Sequence, residues 1–213
     1  MKNPLIEVCV DNLADAVHAE SKGANRIELC SQLALDGLTP TLELTKNTLA
    51  ALKIPVHVMI RSRAINFNYL PHEVETMIET IHTYKNLGIK GIVFGALLVD
   101  FTIDLPNIEK VAKASEGLNF VFHKAIDLTP NPVVATQALA TIKGITHILT
   151  SGGAPNAKEG ASIIRDMDNQ SQHIKIIAAG NIKDYNLNEH IKLLGVSEYH
   201  GRRILNHYNE ENS

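Results

Sequence analysis

Charged residues on three separate apolar runs are where this sequence could do chemistry. Glu7 sits in Leu5-Ile6-Glu7-Val8-Cys9-Val10-Asp11, Glu28 in Arg26-Ile27-Glu28-Leu29-Cys30, and Arg61 ends Val56-His57-Val58-Met59-Ile60-Arg61. In each run alternate residues are branched and apolar, the pattern of a strand with one face against a hydrophobic layer. Ile6, Val8 and Val10, then Ile27 and Leu29, then Val56, Val58 and Ile60 make up that face. The opposite face collects Glu7, Cys9 and Asp11, then Arg26, Glu28 and Cys30, then His57, Met59 and Arg61. A further run with Phe120 and Phe122 on its apolar face adds His123. Burying such ions together is costly unless they are paired or reached by water. One reading is therefore a structural ion-pair network. The other is a polar pocket, favoured because the charges come from several strands and fall late in their runs.

In the pocket reading, Arg61 holds the anionic part of a small substrate. Glu7 or Glu28 acts as general base and His123 as the complementary acid, since the imidazole titrates near physiological pH. Two Gly-bearing segments follow later strands. Thr150-Ser151-Gly152-Gly153 precedes a helix expected to begin near Pro155-Asn156, and Ala178-Ala179-Gly180-Asn181 follows Ile177. Glycines let backbone N–H groups approach an oxyanion, and a helix start adds partial positive charge. Ser151, Gly152, Gly153 and Gly180 are thus candidate binders of a phosphate or carboxylate. A Schiff-base mechanism is disfavoured, because Lys124 follows the inward His123 and should face the helices.

The elements that must position these groups are short strands alternating with helices. Strands are expected to begin near Leu5, Arg26, Val56, Gly91, Asn119, His147, Lys175 and Glu198, with starts 21 to 35 residues apart. That is the chain needed for a strand, two loops and a helix. Eight like units predict an α/β fold of the (β/α)8 TIM-barrel type, one domain over residues 1–213, rather than an open sheet. The segment Ser62 to Pro71 is expected to be a long loop over the strand ends. The polar tail after Arg203 predicts a truncated or missing eighth helix. Val8 and Val10 would then need another partner, which predicts a homodimer.

Formal charge is −3, which favours neither nucleic acid nor a membrane surface. Two cysteines are too few for a disulfide scaffold and suit a reducing compartment. The amino terminus shows no apolar signal segment, and the longest apolar stretch, Ile92 to Val99, is too short to span a bilayer. Cytoplasm is the expected location.

The runs Glu7-Val8-Cys9-Val10-Asp11, Arg26-Ile27-Glu28-Leu29-Cys30, Gly37-Leu38-Thr39-Pro40, Val58-Met59-Ile60-Arg61, Val93-Phe94-Gly95-Ala96-Leu97, Phe122-His123 and Leu149-Thr150-Ser151-Gly152 resemble, as an ordered set over nearly the whole chain, the CutC family. The resemblance implies a TIM barrel and a role in copper homeostasis. It carries Glu7, Glu28, Arg61, His123, Ser151 and His200 over as shared positions. The chain departs from the family pattern at Asp36-Gly37, at Ser62 between Arg61 and Arg63, and in His123-Lys124-Ala125-Ile126-Asp127, where Lys124 and Ile126 stand for Arg and Phe. Lysine lacks the bidentate fork of arginine, so an anion contact there would be looser.

The copper role implied by the resemblance would rest on Cys9 and Cys30, on adjacent strands and sharing the interior. A two-thiolate pair suits soft Cu(I), with Met59 as an added thioether. The competing reading makes both cysteines small, inert core residues. A second metal reading takes Glu7, Glu28 and His123, with His200, as ligands better suited to Mg, Mn or Zn.

Overall fold

Parallel strands with an apolar face and, on several of them, a charged one can close on themselves with the charges inside only if those polar faces share an interior. They do. In a computed structural model that describes residues 3–205, eight strands form a closed barrel in strict sequence order, with β1 (Leu5–Val10) pairing both β2 (Arg26–Leu29) and β8 (Glu198–Gly201). Between them come β3 (Val56–Met59), β4 (Gly91–Phe94), β5 (Asn119–Phe122), β6 (Ile145–Thr150) and β7 (Lys175–Ala178). Among the described residues seven α-helices cover the outside: α1 (Leu13–Ser21), α2 (Leu42–Ala51), α3 (Pro71–Asn86), α4 (Leu105–Ala114), α5 (Pro132–Ala140), α6 (Ala161–Gln170) and α7 (Asp184–Leu194). The fold is the expected (β/α)8 barrel.

Local chemistry sets the helix starts. Asn12 accepts the Asp15 N–H at 2.8 Å to cap α1, and Thr41 accepts the Leu44 N–H at 3.1 Å to cap α2. Each satisfies a donor that the first helical turn leaves free. Pro71 and Pro132 occupy first-turn positions, where a missing N–H costs nothing.

Two hydrophobic compartments follow from strand alternation. The outer one lies between sheet and helices and buries Ile27, Leu29, Val58, Ile92, Phe120, Ile148, Ile176 and Tyr199. Each such side chain contributes roughly 1.5–3 kcal/mol. The inner one, inside the barrel, holds Cys30, Met59, Val93, Val121, Leu149, Ile177 and Ala179. This belt divides the interior into a closed floor and an open mouth.

Three expectations are adjusted. β6 begins at Ile145, two residues before His147. Ile6, Val8 and Val10 are buried within the single chain, so they do not need a second copy to cover them. The argument that predicted a dimer from them therefore loses its premise. The expected loss of an eighth helix falls on residues 206–213, outside the described residues.

Candidate functional site

The floor of the barrel is an ion network. Arg26 donates from Nε to Glu7 and from Nη2 to Glu198 Oε2 at 2.8 Å. Glu198 also lies 3.4 Å from His147 Nε2 and 3.3 Å from Lys175 Nζ. Burial opposes the charge on Glu198, but His147 and Arg26 outweigh it and hold the carboxyl down to about 2. His57 fills the space beside them because Gly91, its register partner on β4, has no side chain; a Cβ there would stand 2.5 Å from the imidazole. Burial keeps His57 neutral, with its pKa lowered to about 3. Both readings of the inward charges are thus realised, at different depths: a network below, a pocket above.

The mouth is a cavity of about 430 Å³ at the carboxyl ends of the strands. Cys9, Glu28, Met59, Arg61, His123 and His200 line it. Glu7 does not. It is fully buried one step below, where its Oε1 accepts a hydrogen bond from His200 Nδ1 at 2.7 Å. Its geometry is that of a positioning residue for His200 rather than of a base in contact with ligand. Burial raises the cost of ionising Glu7, but Arg26 and His200 more than compensate and hold its carboxyl well below the usual range. Burial also works against charge on His200, yet Cys9, Glu28 and Glu7 beside it lift the imidazole well above its ordinary value.

Glu28 is the carboxyl that faces the cavity. Burial pushes it upward, the His200 charge pulls it down and Glu7 pushes it up again; the net direction is upward. Its Oε1 accepts from the Cys30 thiol at 3.3 Å, while Oε2 is buried without a hydrogen-bond partner among the described residues, 3.7 Å from His200 Nδ1. A carboxyl held so can give or take a proton at the pocket wall. Glu7, Glu28 and His200 bring donor atoms within 4.8 Å of one another, the one such cluster among the described residues. Of the two histidines expected in that set, His200 joins it and His123 does not, because β8 pairs with β1 whereas β5 lies across the barrel.

His123 is neutral. Burial, with Arg61 nearby, lowers its pKa to about 3. Its Nδ1 accepts the Ala125 N–H at 3.2 Å, so the proton sits on Nε2, which is buried and lacks a partner among the described residues. The ring therefore offers the cavity a neutral N–H donor instead of the acidic imidazolium expected from the sequence. Gly95 makes room for it, since a Cβ there would come 2.6 Å from the imidazole.

Arg61 does line the cavity, but its fork is occupied. Nη1 donates to the carbonyls of Leu35 at 2.9 Å and Gly37 at 3.1 Å, and Nη2 to that of Ala64 at 3.1 Å. The guanidinium also stacks 4.9 Å over Phe67, whose ring lies 4.7 Å from that of His123. The loop after β3 folds over the mouth as expected, and Arg61 fastens it there. What is left for a ligand is Nε, buried and without a partner among the described residues, and the second N–H of Nη2.

The Gly-rich loop after β6 is likewise filled from within. Asp127 Oδ2 accepts the Ser151 N–H at 2.9 Å and its hydroxyl at 2.9 Å, and Oδ1 accepts the Gly153 N–H at 2.9 Å. Thr150 Oγ1 donates to the same carboxylate, and Gly152 N–H donates to Thr150 Oγ1 at 2.8 Å. The sequence identified an oxyanion cradle; its oxyanion is the chain's own Asp127. The helix expected near Pro155-Asn156 begins later, at Ala161, but its N-cap Gly160 packs on this loop: a Cβ on Gly152 would stand 2.4 Å from the Gly160 carbonyl oxygen. Gly180 is a glycine for packing, as a Cβ there would stand 2.8 Å from Ser151 Cβ.

Lys124 was expected to face the helices. Alternation ends at His123, however, and a 3-10 turn over Lys124–Leu128 turns the lysine to the mouth, with Nζ 3.7 Å from Asp127. Sequence reasoning also missed Glu198, His147 and Arg202. Glu198 was legible as an acidic residue opening a strand; nothing marked the other two.

A closed eight-stranded parallel barrel with a polar, thiol-bearing mouth defines a TIM-barrel protein whose site lies at the strand ends. The CutC family profile matches residues 4–205, and the chain belongs to that family. It is 42% identical over 201 residues to the family protein CutC of Treponema denticola, covering 94% of this chain and 81% of that one. It is 39% identical to the copper homeostasis protein cutC homolog of Mus musculus, covering 92% and 72%. The crystal structure of CutC from Streptococcus agalactiae superposes with a TM-score of 0.89 at 32% identity, covering 94% of this chain and 99% of that one.

Proposed function

We propose that the mouth of the barrel takes up Cu(I) and that the chain serves copper homeostasis, as the names of its relatives state for them. The observation that carries this reading is the position of Cys9 and Cys30. They lie on paired strands, point into one interior, and are both free thiols. Met59 on the next strand lines the same cavity and adds a thioether. Two thiols and a thioether suit a soft monovalent ion better than a hard one.

Burial, with Glu28 and Cys9 alongside, pushes the Cys30 thiol well up, so the proton must leave as metal binds. Glu28, already accepting that proton in a hydrogen bond, is the base at hand. Affinity should therefore rise with pH. The test is a chelator-competed Cu(I) titration under reducing conditions of the wild type, Cys9→Ser and Cys30→Ser. Stoichiometric binding lost in both variants supports the reading; no binding, or binding indifferent to both substitutions, overturns it.

Two free thiols, Cys9 lining the cavity and Cys30 buried, support a reducing compartment, and we propose the cytoplasm. Among the described residues no helix is long and apolar enough to cross a membrane. We also propose a homodimer, now formed by a different surface. Leu98, Val99 and Phe101, after β4, are exposed, and so is Val134, which lines an apolar cleft with Ile103 from the same loop.

A further inference from the structure

Beyond the thiol site, a second cleft opens between the loops that follow β7 and β8. It has a volume of about 380 Å³ and is lined by Lys124, Gly180, Asn181, Lys183, Arg202 and Arg203, among others. Four of its ten lining residues are lysine or arginine, against 20 of 213 in the whole chain, whose net charge is −3. No carboxylate side chain lines it. Like charges gathered from three loops repel one another, Lys124 being partly compensated by Asp127 at 3.7 Å. A doubly charged oxyanion in their midst would reverse that sign. Barrels of this type often bind phosphate at the loops after strands seven and eight.

The cleft is not isolated. Lys124, His200 and Arg202 line both it and the cavity at the mouth, so the two spaces share a wall. The mouth itself offers neutral hydrogen bonding through His123 Nε2 and an acid–base carboxyl in Glu28. We propose that this chain binds a small phosphomonoester. Its phosphate lies among Lys124, Lys183 and Arg202 beside the β7 and β8 loops, and its organic part reaches the mouth between His123 and Glu28. This site uses residues other than the Ser151 and Gly153 cradle, whose donors Asp127 already occupies.

Lys124 and Arg202 are exposed, so their removal leaves the core untouched. The experiment is calorimetric or NMR titration with three probes: inorganic phosphate, glycerol 3-phosphate and glycerol. The proteins are the wild type, Lys124→Ala/Arg202→Ala, and Lys113→Ala on α4 as a control for net charge. Saturable binding of glycerol 3-phosphate, tighter than inorganic phosphate and absent for glycerol, is expected. It should weaken about tenfold or more in the double variant and stay unchanged in the control. Lys124→Ala/Arg202→Ala should keep the Cu(I) binding of the wild type in the chelator-competed titration, which separates this site from the copper reading. Equal affinity for inorganic phosphate and the monoester would overturn the extension into the mouth. No saturable binding, or equal binding by the double variant, would overturn the site.

Discussion

His200 on β8 donates from Nδ1 to Glu7 Oε1 on β1 at 2.7 Å, across the seam where the barrel closes. The other oxygen of Glu7 receives Arg26 from β2, and Arg26 reaches back to Glu198 on β8. One fully buried carboxylate thus ties three strands. Glu7→Gln keeps the shape but leaves two buried cations with a neutral partner, and breaking a buried pair from one side costs about 3–5 kcal/mol. Urea unfolding should show a loss of that order, and the His200 imidazole should titrate lower by NMR. A variant as stable as wild type would show the network to be dispensable.

Acid should destabilise the protein in two stages. His57 and His123 have pKa values lowered from 6.5 to about 3, so the unfolded chain takes up protons first. Their contribution is complete above pH 6.5 and falls between 6.5 and 3, by about 1.4 kcal/mol per pH unit for each. Glu198, lowered from 4.5 to about 2, has the carboxylate sign: its stabilisation is present above 4.5 and lost as pH drops through 2. Glu7 runs the same way. His200 and Glu28 are raised and run in the opposite sense. His200 stabilises below 6.5 and ceases to do so as pH rises through its folded value. Glu28 gains stability as pH falls toward 4.5, a single group that offsets at most one of the two histidines. Denaturation midpoints measured from pH 8 to pH 3 should therefore decline already below 6.5. A flat profile down to 4.5 would contradict neutral, buried His57 and His123.

Period-two alternation was enough to read the barrel and the inward direction of Glu7, Glu28, Arg61 and His123, because side-chain direction in a strand is fixed by position. Depth within the barrel was not legible. It depends on register, and register put Glu7 level with Arg26 and His200, below the pocket. Hydrogen-bond partners were hidden for a different reason. The carbonyls that occupy Arg61 and the carboxylate that fills the Ser151–Gly153 cradle come from loops, whose course no periodicity specifies. Lys124 was misjudged where the strand pattern was extended one residue too far, into a 3-10 turn.

That filled cradle makes its own prediction. Asp127→Ala leaves the N–H groups of Ser151 and Gly153 and the Thr150 hydroxyl without their carboxylate acceptor, while the Ser151 hydroxyl keeps the Ala154 carbonyl at 2.8 Å. The exposed Gly153 N–H can turn to water, whereas the two buried donors, the Ser151 N–H and the Thr150 hydroxyl, cost about 1–3 kcal/mol each when unpaired, so a loss of roughly 3 kcal/mol in all is expected. Because the void has the shape of a carboxylate, added formate should restore part of the melting temperature in the variant and none in the wild type. Equal responses of the two proteins to formate would count against an oxyanion cradle.

Self-association can be read directly. If the apolar surface around Leu98, Val99 and Phe101 is the contact, sedimentation should give a dimer for the wild type and a monomer for Val99→Glu/Phe101→Glu. Both residues are exposed in the single chain, at 84% and 54%, so the substitutions should not affect folding. A monomeric wild type would remove the proposal.

Gly95 decides whether His123 can present its Nε2 proton to the mouth. The backbone there has no need of glycine for a left-handed turn; the constraint is space, with a Cβ falling 2.6 Å from Cε1 and Nδ1 of the imidazole. Gly95→Ala must push the ring away from the Ala125 N–H that fixes its tautomer. Overpacking of this kind costs about 1–3 kcal/mol, a tolerable loss for a folded domain. The diagnostic change is electrostatic: a ring displaced toward the open cavity regains water, and its pKa should climb from about 3 toward 6.5. Proton NMR titration of His123 in Gly95→Ala reads that shift. Gly91→Ala, which crowds His57 at 2.5 Å on the closed floor, should destabilise the protein without releasing His57 to solvent. If His123 in Gly95→Ala stays as resistant to protonation as in the wild type, the glycine is not what holds the donor in place.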